Sequence, residues 1–214
     1  MNRRQLKKKI KKRNIALCKQ YPFLIPRNVW TDKIPDGYNY SYTRYDEIPD
    51  GWRKAFGQFL LEELRDALVK DDYLNKFRFT EIKEKYGRLC LYNFGAPVDA
   101  LNVIHKYEFL SQYVCCYCGS PEACIVNDYG WYLPVCRECW DKNNNFRVRG
   151  GYKPISYETV MDEDYTGMPE VCNVTIRYGG ELKSVEYDIS DTVKKIKMKW
   201  QQRNRGEKNE SREG

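Results

Sequence analysis

Two Cys-x-x-Cys pairs constrain this chain more than any other feature. Cys115 and Cys118 form the first, Cys136 and Cys139 the second, and 17 residues lie between them. Four thiolates so spaced converge on one ion, because each short turn aims two sulfurs while leaving backbone N–H groups free to stabilise their charge. Gly119, directly after the first pair, favours the tight turn of a zinc knuckle. CIVNDYGWYLPV, between the pairs, reads as a hairpin turning near Gly130 that brings the pairs together. Zinc is the expected cofactor. Four cysteines saturate a tetrahedral ion, which makes the expected role structural rather than catalytic.

Cys116 and Cys124 keep the ligand choice partly open, Cys116 as an alternative partner of Cys118 and Cys124 as an alternate ligand. Cys18, Cys90 and Cys172 stand singly in apolar or strand-like surroundings and read as core. The basic start MNRRQLKKKIKKR leads into no long apolar stretch or cleavage site, and no run of 18 apolar residues occurs. The expected setting is therefore a cytoplasm with reduced thiols, with no membrane partner, in which nine cysteines are explained by metal rather than by disulfides.

A net charge of +7 conceals a partition. Residues 3–13 carry eight Lys or Arg and no acid, and residues 194–205 carry six with no acid. Residues 14–193 hold 21 basic and 27 acidic side chains, a net of −6. An acidic body with positive ends weakens a simple duplex-binding reading while keeping the ends as phosphate contacts.

Along the chain, residues 1–19 form a basic arm or helix. Residues 21–51, with Pro22, Pro26, Pro35 and Pro49, read as an extended, tyrosine-rich wrap. Trp52, Phe56, Phe59, Leu60, Leu64, Ala67 and Leu68 recur at helical spacing, with Asp50 as cap. A short helix or turn is expected over Ile82–Tyr86, a strand over Arg88–Phe94, and a second helix over Pro97–Tyr113. Residues 141–170 read as an irregular linker. Residues 171–189 read as a hairpin turning on Gly179 and Gly180, followed by a basic helix capped by Ser190, and 201–214 as a disordered tail. The expected fold is α+β: a mixed body over 20–114, a zinc module over 115–140 of treble-clef or zinc-ribbon type, 141–200 packed back on the body, and flexible basic termini.

Catalytic motifs are absent. The chain has a single histidine, His105, and no glycine-rich phosphate loop, G-x-S-x-G or H-E-x-x-H. The acidic runs at Glu62–Glu63, Asp71–Asp72 and 162–164 lack two-metal spacing, so no enzyme is expected. Two binding classes remain. For a protein partner, Tyr42, Tyr45 and Trp52 in YNYSYTRYDEIPDGW are the candidate interface, since Tyr and Trp supply large contact area with a polar handle. For DNA or RNA, the candidates are Arg3, Arg4, Lys7, Lys8, Arg137, Arg147, Arg149, Lys194, Lys195 and Lys199. Tyr129, Trp131 and Tyr132 offer stacking surfaces on the hairpin or, alternatively, pack it against the body.

Several stretches also carry a resemblance. Gly51–Trp52, Ile82–Leu89, Cys115–Gly119, Gly130–Trp131 and Cys136–Cys139 follow the order G-W, I-K-E-K-[FY]-G-x-L, C-x-x-C-G, G-W, C-x-x-C. In this, residues 50–140 resemble uncharacterised proteins of bacteriophages and prophages. Arg88 departs from the pattern, where a second glycine is usual. The resemblance implies phage-related origin, a structural zinc and a host-directed inhibitor or accessory factor acting on a host protein or nucleoprotein complex in the host cytoplasm. It assigns no catalytic residue.

Overall fold

Trp52, Phe56, Leu60, Leu64 and Leu68 recur at every fourth position, and all five are fully buried in the computed structural model, which describes residues 2–178 and 181–210. On a helix of 3.6 residues per turn, that spacing drifts by about 40° per step. The chain offsets part of the drift by passing from α2 (Asp50–Trp52) through a wide π turn at Arg53–Gly57 into α3 (Gln58–Lys70). Pro49 takes the cap position and Asp50 is already helical, so Asp50 does not cap. α4 (Val98–Leu110) packs on α3, continues as a 3-10 turn over Ser111–Tyr113, and delivers the chain into the first cysteine pair.

Trp52 ties this helical body to the cysteine segment. Its indole Nε1 donates to the Val114 carbonyl at 2.8 Å, both groups being buried. Trp52→Phe keeps most of the ring and orphans that carbonyl, so a loss of about 1–3 kcal/mol is expected in thermal or denaturant unfolding.

The segment expected to be a short helix or turn over Ile82–Tyr86 is instead mostly strand, β1 (Phe79–Lys85), paired antiparallel with β2 (Arg88–Asn93). Tyr86 and Gly87 form the two-residue turn, both at positive φ, 51° and 79°. A turn with two left-handed residues matches the twist of the strands it joins, and this sets the register. The second hairpin, β3 (Cys124–Asp128) and β4 (Trp131–Val135), turns the same way on Tyr129 and Gly130, at φ 52° and 90°. The Tyr86–Gly87 turn leans on β3, where Ile125 lies against Gly87.

After β4 comes α5 (Arg137–Arg149), so residues 141–149 are helical, not linker. The Asn-rich sequence is held by tertiary contacts: Trp140 is buried with Nε1 donating to Ile155 O, and the Asn144 side chain exchanges two hydrogen bonds with the Ile155 backbone. α6 (Tyr157–Val160) packs on β3, and Met161 forms a bridge with Val126.

The third hairpin, β5 (Val171–Tyr178) with β6 (Glu181–Asp188), matches the expected strands. Its turn at Gly179–Gly180 lies outside the described residues. α7 (Ser190–Glu210) buries Val193 and Ile196. It continues through residues 201–210, which are helical rather than disordered; 211–214 lie outside the described residues. Its first N–H, from Ser190, is received by Asp188 Oδ1 at 2.9 Å, so the capping side chain is Asp188 and not Ser190.

The basic N-terminus is a helix, α1 (Arg3–Gln20). Only its second half docks: Asn14 and Cys18 are buried, and Asn14 Nδ2 donates to Tyr40 O at 2.9 Å. Residues 21–49 are largely irregular, apart from 3-10 turns at Pro22–Leu24 and Arg44–Glu47, and 50–51 already belong to α2. Among the described residues the sheets are three separate antiparallel pairs, giving an α+β architecture. Among the described residues, no helix is long and apolar enough to cross a membrane.

Candidate metal centre

The four cysteines singled out by spacing come together. The Sγ atoms of Cys115, Cys118, Cys136 and Cys139 all lie within 4.8 Å of one another. Cys118 and Cys136 stand 3.6 Å apart. Zinc–sulfur bonds of 2.3 Å at tetrahedral angles put sulfurs about 3.8 Å apart, a separation compatible with a cage of this size.

Local structure explains the convergence. The 115–119 turn closes with Gly119 N–H donating to Cys115 O at 2.9 Å, while Gly119 adopts φ 83°. Ser120 N–H points at Cys118 Sγ at 3.4 Å, a backbone donor that favours thiolate. The hairpin carries the chain back, with Cys116 N–H donating to Pro134 O at 2.9 Å and so fastening the knuckle to β4. Cys136 is the N-cap of α5 and Cys139 sits in its first turn. The second pair therefore opens a helix.

The electrostatics describe a cage built for a cation. Hydrogen bonds from the Cys118 and Cys136 thiols hold Cys115 far below the usual thiol range. The same bonds push Cys118 and Cys136 up, and burial followed by the Cys115 charge pushes Cys139 up to about 12. One thiolate is easily borne and further ones repel it, so a divalent cation is the group that makes four thiolates compatible.

Neither alternative ligand joins the cage. Cys116 is buried, its carbonyl receiving Gly51 N–H, and burial pushes its thiol up. Cys124 Sγ contacts Tyr157 Oη at 3.0 Å on β3. Cys18, Cys90 and Cys172 are buried singly, and no disulfide forms among the described residues.

The candidate interface residues do not form one surface. Trp52 is fully buried and is core, because its ring completes the apolar stripe. Tyr45 is half-buried beneath Arg53 and against Gly57, while Tyr42 remains exposed with its hydroxyl bonded to Glu47. The exposed aromatics are elsewhere. Tyr129 is 85% and Trp131 75% exposed at the tip of β3–β4, with Tyr132 beside them, so the tip aromatics do not pack the hairpin to the body.

The candidate phosphate contacts divide similarly. Arg3, Arg4, Lys7 and Lys8 are exposed on the first half of α1 and take part in no ion pair among the described residues. Arg137 pairs with Glu158 at 2.5 Å, and Lys194 faces Asp191 at 3.6 Å. Arg147 is half-buried, bonded to Asp128 at 2.6 Å, where it clamps α5 to the hairpin instead of facing phosphate. Arg149 lies over Phe146, and Lys195 is exposed. Lys199 is half-buried over the Phe59 ring and its ammonium is lowered by burial, so it too is a packing residue. His105 is half-buried on α4, its proton affinity lowered by burial and by Arg88. The sequence did not single out Arg203, which donates from α7 to the Cys118 carbonyl and so braces the knuckle.

No family model, curated protein or solved structure matches this chain.

Proposed function

We propose that this is a non-enzymatic binding protein in which a structural zinc ion presents an aromatic hairpin tip to a protein partner. Cys115, Cys118, Cys136 and Cys139 would hold the ion. Knuckle, hairpin and a helix opening at the second pair favour a treble-clef arrangement over a zinc ribbon. Zinc supplies cross-linking here, since four thiolates leave no position for water or substrate.

The observation that carries the reading is the exposure of Tyr129, in the two-residue turn, and Trp131, the first residue of β4, at the tip of a hairpin that Arg147 and the cysteine knuckle hold at its sides. Large aromatics on a rigid support lose little entropy on docking, and such residues dominate interface energies. The phage-like order of motifs over residues 50–140 supports a host protein or nucleoprotein complex as the target, in the host cytoplasm.

Tyr129→Ala with Trp131→Ala is expected to leave the fold and metal content intact and to weaken partner binding by ten- to a hundredfold or more. Capture from host lysate with both proteins in parallel, before and after nuclease, checks this. Equal recovery by wild type and variant would overturn the assignment of the tip.

Direct DNA or RNA binding is the second reading, favoured by the acid-free basic run of residues 3–12 on α1, whose lysines and arginines are exposed, Arg13 after them pairing with Asp46. It requires that nuclease remove the partners, that affinity fall steeply with salt, and that neutralising residues 3–13 flatten the salt dependence.

A further inference from the structure

At the open end of the β1–β2 hairpin, away from the turn that touches β3, lies a groove of about 190 Å³. Arg27, Lys76 and Arg78 line it with Asn28, Asp32 and Phe94. The two guanidiniums are held in place. Arg27 Nη1 donates to Asp32 O at 2.8 Å, and Arg78 Nη1 to Phe77 O at 2.6 Å. Their side chains are only 25% and 19% exposed.

These arginines share a single carboxylate, that of Asp32. The Nε atoms of both are buried without a hydrogen-bond partner. The one acid lining the groove is Asp32, itself largely exposed, 3.5 Å from Arg27 Nη1 and 3.7 Å from Arg78 Nε. Three cations thus face a single carboxylate. Burial, and then repulsion from Arg27, lower the proton affinity of Arg78, as expected of a cation short of negative charge.

We propose that this groove binds a phosphate monoester, the phosphate of a nucleotide. A dianion balances the surplus of two positive charges, and tetrahedral oxygens suit fork-shaped guanidinium donors. The volume accommodates a phosphate together with sugar atoms. Phe94, exposed on the groove wall, offers its ring to the base. The seven-residue length of β1 puts this groove about 20 Å from the Tyr86–Gly87 turn, and no residue lining it belongs to the β3–β4 hairpin that carries the aromatic tip.

The test is titration of ¹⁵N-labelled full-length protein with AMP at constant ionic strength, following the arginine Nε–H resonances. Saturable shifts of Arg27 and Arg78 are expected. Arg78→Gln should weaken AMP about tenfold or more, the worth of a charge-assisted hydrogen bond. Lys76→Gln, on the exposed rim, should weaken it about two- to threefold without changing the circular dichroism. Absence of saturable shifts, an equal response to chloride, or undiminished affinity in both variants would overturn the site. Inorganic phosphate as tight as AMP would keep the anion site and remove the stacking on Phe94. A 5′-phosphorylated oligothymidine separates the sources: tighter binding than AMP identifies a nucleic-acid end, and equal binding a free nucleotide. Equal affinity for the oligomer lacking its phosphate would overturn the monoester.

Discussion

Cys136→Ser is expected to unfold the segment from Cys115 to Arg149 and to lower the stability of the whole chain by more than about 4 kcal/mol, a large part of what holds a typical domain together. A serine hydroxyl does not ionise to replace a thiolate, and losing one ligand opens a cage whose remaining sulfurs repel. The effect spreads because the centre is not peripheral. Cys115 and Cys136 belong to the same buried core as Trp52 and Leu110. Val135, one residue before Cys136, offers its carbonyl to Tyr157 Oη at 2.7 Å, and α7 reaches the knuckle through Arg203. Cys124→Ser is the matched control, since it alters a buried sulfur outside the cage. It should retain metal and lose about 1 kcal/mol. Thermal unfolding with zinc content by native mass spectrometry decides the matter. A Cys136→Ser protein with wild-type metal and melting temperature would show that the ligands are others.

How much of this was legible in the sequence depends on how local each determinant is. The cysteine pairs were, because ligand spacing is a property of two short turns. The Trp52–Leu68 stripe is as well, but periodicity reports that a face is buried and not against what, so the sequence offers Trp52 both as part of the stripe and as interface. β1 was missed because Ile82–Tyr86 fits a helical period as well as a strand. The decisive feature is a tyrosine held at positive φ in the turn, a conformation that residue type seldom signals. α5 was missed because Asn143–Asn145 has poor helix propensity, and contacts from Ile155 and Asp128 override it. The Arg27–Arg78 groove has no local signature at all. Its residues are far apart in the chain and meet only because the 27–32 turn folds over the end of β1.

Gly51→Ala is expected to be nearly as damaging as loss of a ligand, although it adds one methyl group to a helix. A Cβ at Gly51 would stand 2.1 Å from the Cys115 carbonyl oxygen and 2.6 and 2.7 Å from the Cys116 carbonyl carbon and oxygen. All three are backbone atoms of the knuckle, so no rotamer change relieves the clash; α2 or residues 115–116 must move. Either movement stretches two bonds made at this contact, Gly51 N–H to Cys116 O at 2.9 Å and Trp52 Nε1 to Val114 O at 2.8 Å. Overpacking at about 1–3 kcal/mol and loss of two buried hydrogen bonds at about 0.5–1.5 kcal/mol each sum to roughly 2–6 kcal/mol. Gly57→Ala makes the comparison sharp. Its Cβ would meet Tyr45 Oη at 2.7 Å, but that is the tip of a side chain that can swing aside, so a loss of about 1 kcal/mol is expected. Displacing residues 115–116 also displaces a ligand, so Gly51→Ala should weaken zinc in competition with a chelator, whereas Gly57→Ala should not. Equal melting temperatures and equal zinc retention in the two variants would mean that helix and knuckle do not meet backbone to backbone. The metal centre would then be a separate appendage rather than one wall of the core.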